Sequence, residues 1–523
     1  MIDTVALREK VLDLAIRGKL VPQDPNDEPA SVLLERIRAQ KQQMVKDGKL
    51  KAKDIKDDSI IFVGEDNLHY EKFANGTVKC IEDEIPFELP SSWSWCRLGV
   101  LFAHNTGKAL NSSDTTGTRL TYITTSNLYW DRFELDSLKE MPFTESEIEK
   151  CTVRKGDLLV CEGGDIGRSA IWLFDDEIRI QNHIHRLRSY IELSNRFYYY
   201  VMYLWKRMER IGGQGIGLQG FSSKALHKLI VPLPPVNEQF SVVEKLDSIL
   251  GSVDALDELK AEFTVDVECI KKQILDLAIR GKLVPQNPDD EPASVLLERI
   301  RAEKEELIKQ GKIKRDKKES VIFKGEDNSY YLVQNGRTTP TDETIVFDLP
   351  EPWAWTTLPT IANVELGKTL DRAKNTGKLY PYLRSVNVQW GDIDLLDLKQ
   401  MRFEDDELEK YSVIKNDLLI CEGGDVGRCC VWNRDDIFLY QNALHRARMY
   451  ANVEPKFYQY VFMSYESKGI LKRISNGVTI KHLTGTTLSF MPVPLPPYDE
   501  QLRIIKTIEI LFAQLDAIAD SLN

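Results

Sequence analysis

Three patterns of apolar and polar positions recur along this chain, and each occurs twice. The first is a seam. Val242, Leu246, Ile249, Val253 and Leu256 step by 4, 3, 4 and 3, and Ile504, Ile508, Leu511, Leu515 and Ile518 step identically. That rhythm predicts a coiled-coil helix, with an amphipathic helix packed on its own domain as the alternative. Asn237 and Asp499, each just after a proline pair, are the expected N-caps. The second pattern is a pair of shorter helices. Thr4 to Ile16 reads as a helix closed by Gly18, glycine being suited to the left-handed position past a helix end. Ala30 to about Lys46 reads as a charged helix ended by Gly48, followed by a short hairpin or arm around FVGEDN (Phe62 to Asn67).

The third pattern is strand-like. GDLLVCEGGDIGRSAIW (Gly156 to Trp172) and NDLLICEGGDVGRCCVW (Asn416 to Trp432) read as strand, glycine-rich turn, strand. QNHIHRLR (Gln181 to Arg188) and QNALHRAR (Gln441 to Arg448) follow. Alternation sets His183, His185 and Leu187 on one strand face and Arg186 and Arg188 on the other, so one set belongs to an interior. Helices with an aromatic face are expected over Asn195 to Arg210 and Glu454 to Lys468. Trp93 and Trp95, mirrored by Trp353 and Trp355, share a strand face and should anchor a core.

These pairs form one duplication. Leu12 recurs as Leu275, Trp93 as Trp353, Cys161 as Cys421 and Pro234 as Pro496, offsets of 263, 260, 260 and 262. The central connector, Val231 to Lys304, joins VPLPPVNEQ to LDLAIRGKLVPQNPDDEPASVLLERIRAEK. Its first half recurs at the C-terminus from Val493, and its second half near the N-terminus as Leu12 to Lys41. With the termini side by side, a circular, pseudo-two-fold arrangement follows; two independent domains without functional symmetry are the alternative. The expected fold class is α/β (α+β), with two duplicated mixed-sheet domains separated by long antiparallel coiled-coil helices. The expected divisions are 1–85 (helical region and arm), 86–235 (first block), 236–345 (central helical spacer and arm), 346–497 (second block) and 498–523 (C-terminal helix pairing with the N-terminal region).

Charge changes this picture. The chain of 523 residues carries a net −12, which looks wrong for a nucleic-acid binder. Pro86 to Pro235, however, holds 18 Lys and Arg against 17 Asp and Glu, and Val346 to Pro497 holds 18 against 19. The two blocks are therefore neutral and able to carry a basic face, while the acidity lies in the connectors. The eight cysteines (80, 96, 151, 161, 269, 421, 429 and 430) form no CxxC pair and sit by no His at zinc spacing. With no signal-peptide core and no apolar run of membrane length, a reduced, cytoplasmic protein is expected.

The repeated PLPPxxEQ before a helix, the LDLAIRGKLVPQ and EPASxLLERI strings, and the two divergent blocks resemble type I restriction-modification specificity subunits. The resemblance spans essentially the whole chain. It implies two target recognition domains held apart by helical spacers, and a bipartite double-stranded DNA site. It also implies assembly with two modification (methyltransferase) subunits and with restriction (endonuclease and translocase) subunits. S-adenosylmethionine, ATP and Mg are then expected in those partners, with no cofactor, metal or catalytic residue in this chain. A protein-only coiled-coil scaffold, an enzyme using the CEGGD turns on a nucleotide, and a specificity subunit of another restriction class are the alternatives.

The family supplies no motif-matched base contacts, so candidates come from loop position and side-chain chemistry. Base edges are read by Arg, Lys, Asn and Gln, while phosphates take any donor. The first block contributes Lys108, Arg119, Thr124, Thr125, Asn127, Arg168, Arg186, Gln214 and Gln219. The second contributes Lys368, Arg372, Arg384, Asn387, Arg428, Arg446, Lys481 and His482. For the loop residues a solvated turn is the competing reading, and for the CEGGD turns a tight bend fixed by glycine. His185 and His445 lack a paired nucleophile or carboxylate at a recognisable spacing, which argues against acid-base catalysis. The ten seam residues named above are the expected subunit interface.

Overall fold

A computed structural model describes residues 3–111, 116–211, 221–315, 320–334, 336–341, 345, 347–371, 373, 375, 376–475 and 482–522. Lys481, Gln214, Gln219 and Arg372 therefore lie outside the described residues. The chain divides into two compact units, Ile2–Leu259 and Lys260–Asn523. The division falls within the 44-residue helix Val236–Ile279, between its tail-like first part and its head-like second part. Each unit thus holds a complete head, arm, block and tail, and the duplication is in register from end to end.

In the first unit the head helix Thr4–Ile16 is capped by Asp3, whose carboxylate accepts from the Ala6 amide. It ends in paired bonds from Gly18 N–H to Ala15 O and from Lys19 N–H to Leu14 O, with Gly18 at φ +68°. A side chain at Gly18 would also meet Pro90 Cγ at 2.6 Å, so two reasons require glycine there. The second head helix, Ala30–Lys46, leads to a three-stranded antiparallel arm of Ser59–Val63, His69–Phe73 and Val78–Cys80, with GEDN in the first turn. The second unit repeats this with Ala293–Lys309 and the arm strands Ser320–Lys324, Tyr330–Gln334 and Arg337–Pro340.

Each block is opened and closed by one antiparallel strand pair, Ser94–Arg97 with Ile230–Leu233 and Ala354–Thr357 with Pro492–Leu495. Between them lie two four-stranded sheets. In the first block one is antiparallel, ordered Ser169–Ile171, Leu158–Cys161, Ile184–Ser189, Phe102–Thr106. The other is mixed, ordered Thr152–Val153, Ile178–Ile180, Thr118–Ile123, Lys139–Phe143, with Ile178–Ile180 parallel to Thr118–Ile123. The strand Leu158–Cys161 is buried on both faces, which is why it reads as an unbroken apolar run. Leu158 and Val160 enter the core shared with the head helices, and Leu159 and Cys161 enter a smaller core with Trp172. Leu418, Ile420, Leu419 and Cys421 divide the same way in the second block.

Trp93 and Trp95 are buried against Phe197 and Trp205, so they anchor the core. The aromatic helices run over Asn195–Arg207 and Pro455–Ser467, each ending three or one residues earlier than their periodicity suggests. The tail helices begin at Val236 and Tyr498, one residue before the expected caps. The carbonyls of Pro235 and Pro497 accept the first helical bonds instead, and Asn237 turns its amide to Asp27. Along the seam, Val242, Leu246, Val253, Ile504 and Ile508 are buried, and Ile249, Leu256, Leu511 and Leu515 are half-buried. Ile518 is 49% exposed and is no part of the packed seam of its unit. The head and tail helices also pair by charge within each unit, through Arg8 with Asp254 and Asp257, and Lys271 with Asp516.

Candidate functional site

Local turn chemistry builds a rim on each block. In the first, four segments converge: Ile123–Asn127, Cys161–Arg168, Gln181–His183 and Phe221. Gln181 N–H donates to Ile123 O (3.0 Å), Glu162 N–H to His183 O (2.9 Å) and Phe221 N–H to Glu162 O (2.8 Å). The guanidinium of Arg168 closes the set, donating to Thr125 O at 2.6 Å and lying over the Tyr129 ring. The second rim repeats each link. Gln441 N–H donates to Leu383 O (3.1 Å), Glu422 N–H to Ala443 O (3.0 Å), Leu483 N–H to Glu422 O (2.7 Å) and Arg428 to Ser385 O (3.1 Å).

The structure sorts the sequence candidates by burial. Asn127 and Asn387 are buried and fold their own turns: Asn127 Oδ1 accepts from the Thr124 amide and its amide donates to Glu134 O. Asn387 accepts from the Arg384 amide and donates to Asp394 O and Asp397 O. Arg186 and Arg446 are buried as well, so the expectation that they contact DNA is corrected. Arg186 donates to Thr152 O at 2.5 Å, and burial together with neighbouring Arg188 lowers its pKa to about 10. Arg446 donates to Ser412 O (2.8 Å), Lys410 O (3.0 Å) and Glu365 (2.7 Å). Lys108 is bound to Pro142 O and Glu147, both at 2.8 Å, and Lys368 to Glu404 and Glu407. With side chains only 8% and 5% exposed, these lysines tie strands to the next helical turn and do not face outward.

What remains at the rims is Thr124 and Thr125, half-buried, Arg168 and Arg428 as staples between turns, Arg384 and His482. Arg384 reaches Asp397, donating to both its backbone and its carboxylate oxygen at 2.8 Å. His482 is exposed and bridges to Gly423 on the glycine-rich turn. Arg119 lies on a sheet strand, 68% exposed and 3.8 Å from Glu140.

Sequence reasoning missed the layer behind the rim. His185 Nε2–H donates to Phe221 O at 2.7 Å, which leaves Nδ1 to accept from His104 Nε2 at 2.8 Å. The His227 ring stands 5.1 Å from that of His104. Burial, reinforced by His185, pushes His104 down to about 3, and burial lowers His185 and His227 too. His445 donates to Leu483 O (2.9 Å) in the second block. Asp157 and Asp417 are also buried, each gripping an arginine of the next strand, Arg188 or Arg448, with both oxygens. Their recurrence at an offset of 260 was the available signal.

Each rim presents hydroxyls, amides, guanidinium groups and exposed backbone on a stiff sheet edge. This equipment suits reading a patterned polar surface. Among the described residues no group of three or more His, Cys, Asp or Glu is arranged to hold a metal, and no helix is long and apolar enough to cross a membrane.

Comparison with known proteins follows the same duplication. The family model described as type I restriction modification DNA specificity domain matches residues 90–263 and 350–523, one stretch in each copy. The type I restriction enzyme EcoAI specificity subunit of Escherichia coli is 27% identical, over 97% of this chain and 88% of that protein. The EcoEI specificity subunit of the same species is 25% identical, over 99% and 90%. Among solved structures, a chain from work on complex assembly and conformational transition of the type I R-M system superposes with a TM-score of 0.54. It is 16% identical and covers 84% of this chain and 94% of its own. The HsdS subunit from Thermoanaerobacter tengcongensis gives 0.51 at 17% identity, covering 84% and 93%.

Proposed function

The chain belongs to the family of the type I restriction modification DNA specificity domain, and from that premise we propose that each rim reads one half of a bipartite DNA site. The chain is the sequence-specificity subunit of a restriction-modification complex, like the EcoAI and EcoEI subunits it resembles. The observation that carries the two-reader assignment is the pair of rims. Both are tied by the same backbone bonds, yet Thr124–Ser126 corresponds in the repeat to Arg384–Val386, and His183 to Ala443. An invariant scaffold with altered edge chemistry is what two readers of different base sequences require.

On this reading residues 86–235 and 346–497 are the target recognition domains. The tail and head helices set the half-site separation and recruit two modification subunits and the restriction subunits. This chain is non-catalytic; the modification subunits bind S-adenosylmethionine, and ATP and Mg serve the restriction subunits. Its work lies in the cytoplasm with the DNA it reads. Arg119, Thr124, Thr125, Arg168, Arg384, Arg428 and His482 are the proposed contacts, with Arg168 and Arg428 directed to phosphate and otherwise to stapling the turns.

The test is genome-wide mapping of methylated adenine in cells carrying this chain with its modification subunit. A two-part motif with a fixed unspecified gap is expected. A single uninterrupted motif, or no methylation despite a co-purifying methylase, would overturn the two-reader assignment.

A further inference from the structure

The two rims differ in a way that points to one base. In the second unit Arg384 and Asn387 bind the carbonyls of Asp394 and Asp397, lashing the turn 384–388 to the loop 393–397. Two apolar side chains stand on these lashed segments. Val386 is 54% exposed and Leu396 is 97% exposed. Neither contributes to a core of its unit, since the neighbouring Val388 and Leu395 fill that role. The corresponding residues of the first rim, Ser126 and Asp136, are polar and exposed. A leucine almost fully in water on a hydrogen-bonded loop adds nothing to the core of its unit, and on a DNA-reading rim it is free to meet an apolar group of the ligand.

Resting on the reading of the rim as a DNA reader, we propose that Val386 and Leu396 are specificity-determining residues that pack against a thymine methyl in the second half-site. The thymine C5-methyl is the one apolar group a base pair presents in the major groove, and apolar side chains are its natural contacts. Arg384 and Asp397, beside Leu396, offer a donor and an acceptor for the neighbouring base edges. The first rim, with Ser126 and Asp136, makes no such contact from these positions.

The experiment uses the assembled complex and duplexes in which each thymine of the second half-site is replaced in turn by deoxyuridine, which lacks only the methyl. One replacement should weaken binding by roughly four-fold, the worth of one buried methyl. In the complex carrying Leu396→Ala and Val386→Ala, that same replacement should change affinity less than two-fold. Both side chains are exposed, so the variant should fold normally, and the same fold-loss in variant and parent when the first half-site alone is altered checks this. Full deoxyuridine sensitivity retained in the variant, or a second half-site without any A·T pair, overturns the proposal. Absence of any bipartite binding would instead overturn the reading on which it rests.

Discussion

In the first block the strand Ile184–Ser189 sets Arg186 opposite Asn105, whereas in the second Leu444–Met449 sets Arg446 opposite Glu365. Both arginines are buried, yet only the second has a carboxylate, at 2.7 Å. The first is left with a backbone acceptor, and its charged form is correspondingly disfavoured. The layer around them diverges in step. Where the first block has His104, Gly99 and His227, the second has Val364, Pro359 and Ser489. Gly99 makes room for an imidazole, because a Cβ there would stand 2.7 Å from His227 Nδ1. The comparison teaches that a duplicated scaffold keeps its main-chain links while its polar interior is re-paired position by position.

The strongest way to break that comparison is to exchange the blocks. Replacing residues 86–235 by a second copy of 346–497 should give two identical half-sites in the methylation map, with the gap unchanged. Survival of the original first half-site would show that the block does not carry recognition. Next in size, Glu365→Asn should cost the second unit about 2 kcal/mol, the usual worth of a hydrogen bond to a charged group. The reciprocal Asn105→Glu should stabilise the first unit by about 1 kcal/mol, since a carboxylate one-third exposed is partly screened. Denaturant unfolding of the assembled protein, followed by hydrogen exchange in each strand, measures both, and a Glu365→Asn variant as stable as the parent, or an Asn105→Glu variant less stable than it, would refute the re-pairing account.

A smaller effect is expected from Gly99→Ala, about 1 kcal/mol of crowding against His227. The double variant with His227→Ser should recover it, and additivity in that cycle would show that the two positions are not coupled. The smallest effect concerns pH. The unfolded chain takes up protons on its histidines near pH 6.5, but folded His104 does so only at about 3. Between those values the unfolded state binds more protons, so stability is complete above pH 6.5 and falls as pH drops below it. The first unit, with three such histidines against His445 alone, should lose about 2–4 °C more than the second on going from pH 7.5 to pH 5.5. His104→Val should narrow the difference in differential scanning calorimetry; the same acid loss in both units would exclude the histidine layer as its source.

By itself the sequence determined the duplication, the helices with their glycine closures, the strand, turn and strand of the CEGGD segments, and the family. Each rests on local periodicity or on turn chemistry, which act over a few residues and need no knowledge of neighbours. It did not determine which polar residues face outward. Alternation divides a strand into two faces, but Ile184–Ser189 is covered on both, so His185 and Arg186 are buried together and neither face is the solvent side. Lys108 and Lys368 were likewise drawn inward by partners far along the chain, Glu147 and Glu404, and Asn127 and Asn387 by carbonyls across their own turns, those of Glu134 and Asp394. Exposure of Val386 and Leu396 is the converse case: residues whose composition predicts a core stand in water because the turns that carry them are held at the sheet edge. Burial is a property of the packed layers, and only the tertiary structure decided it.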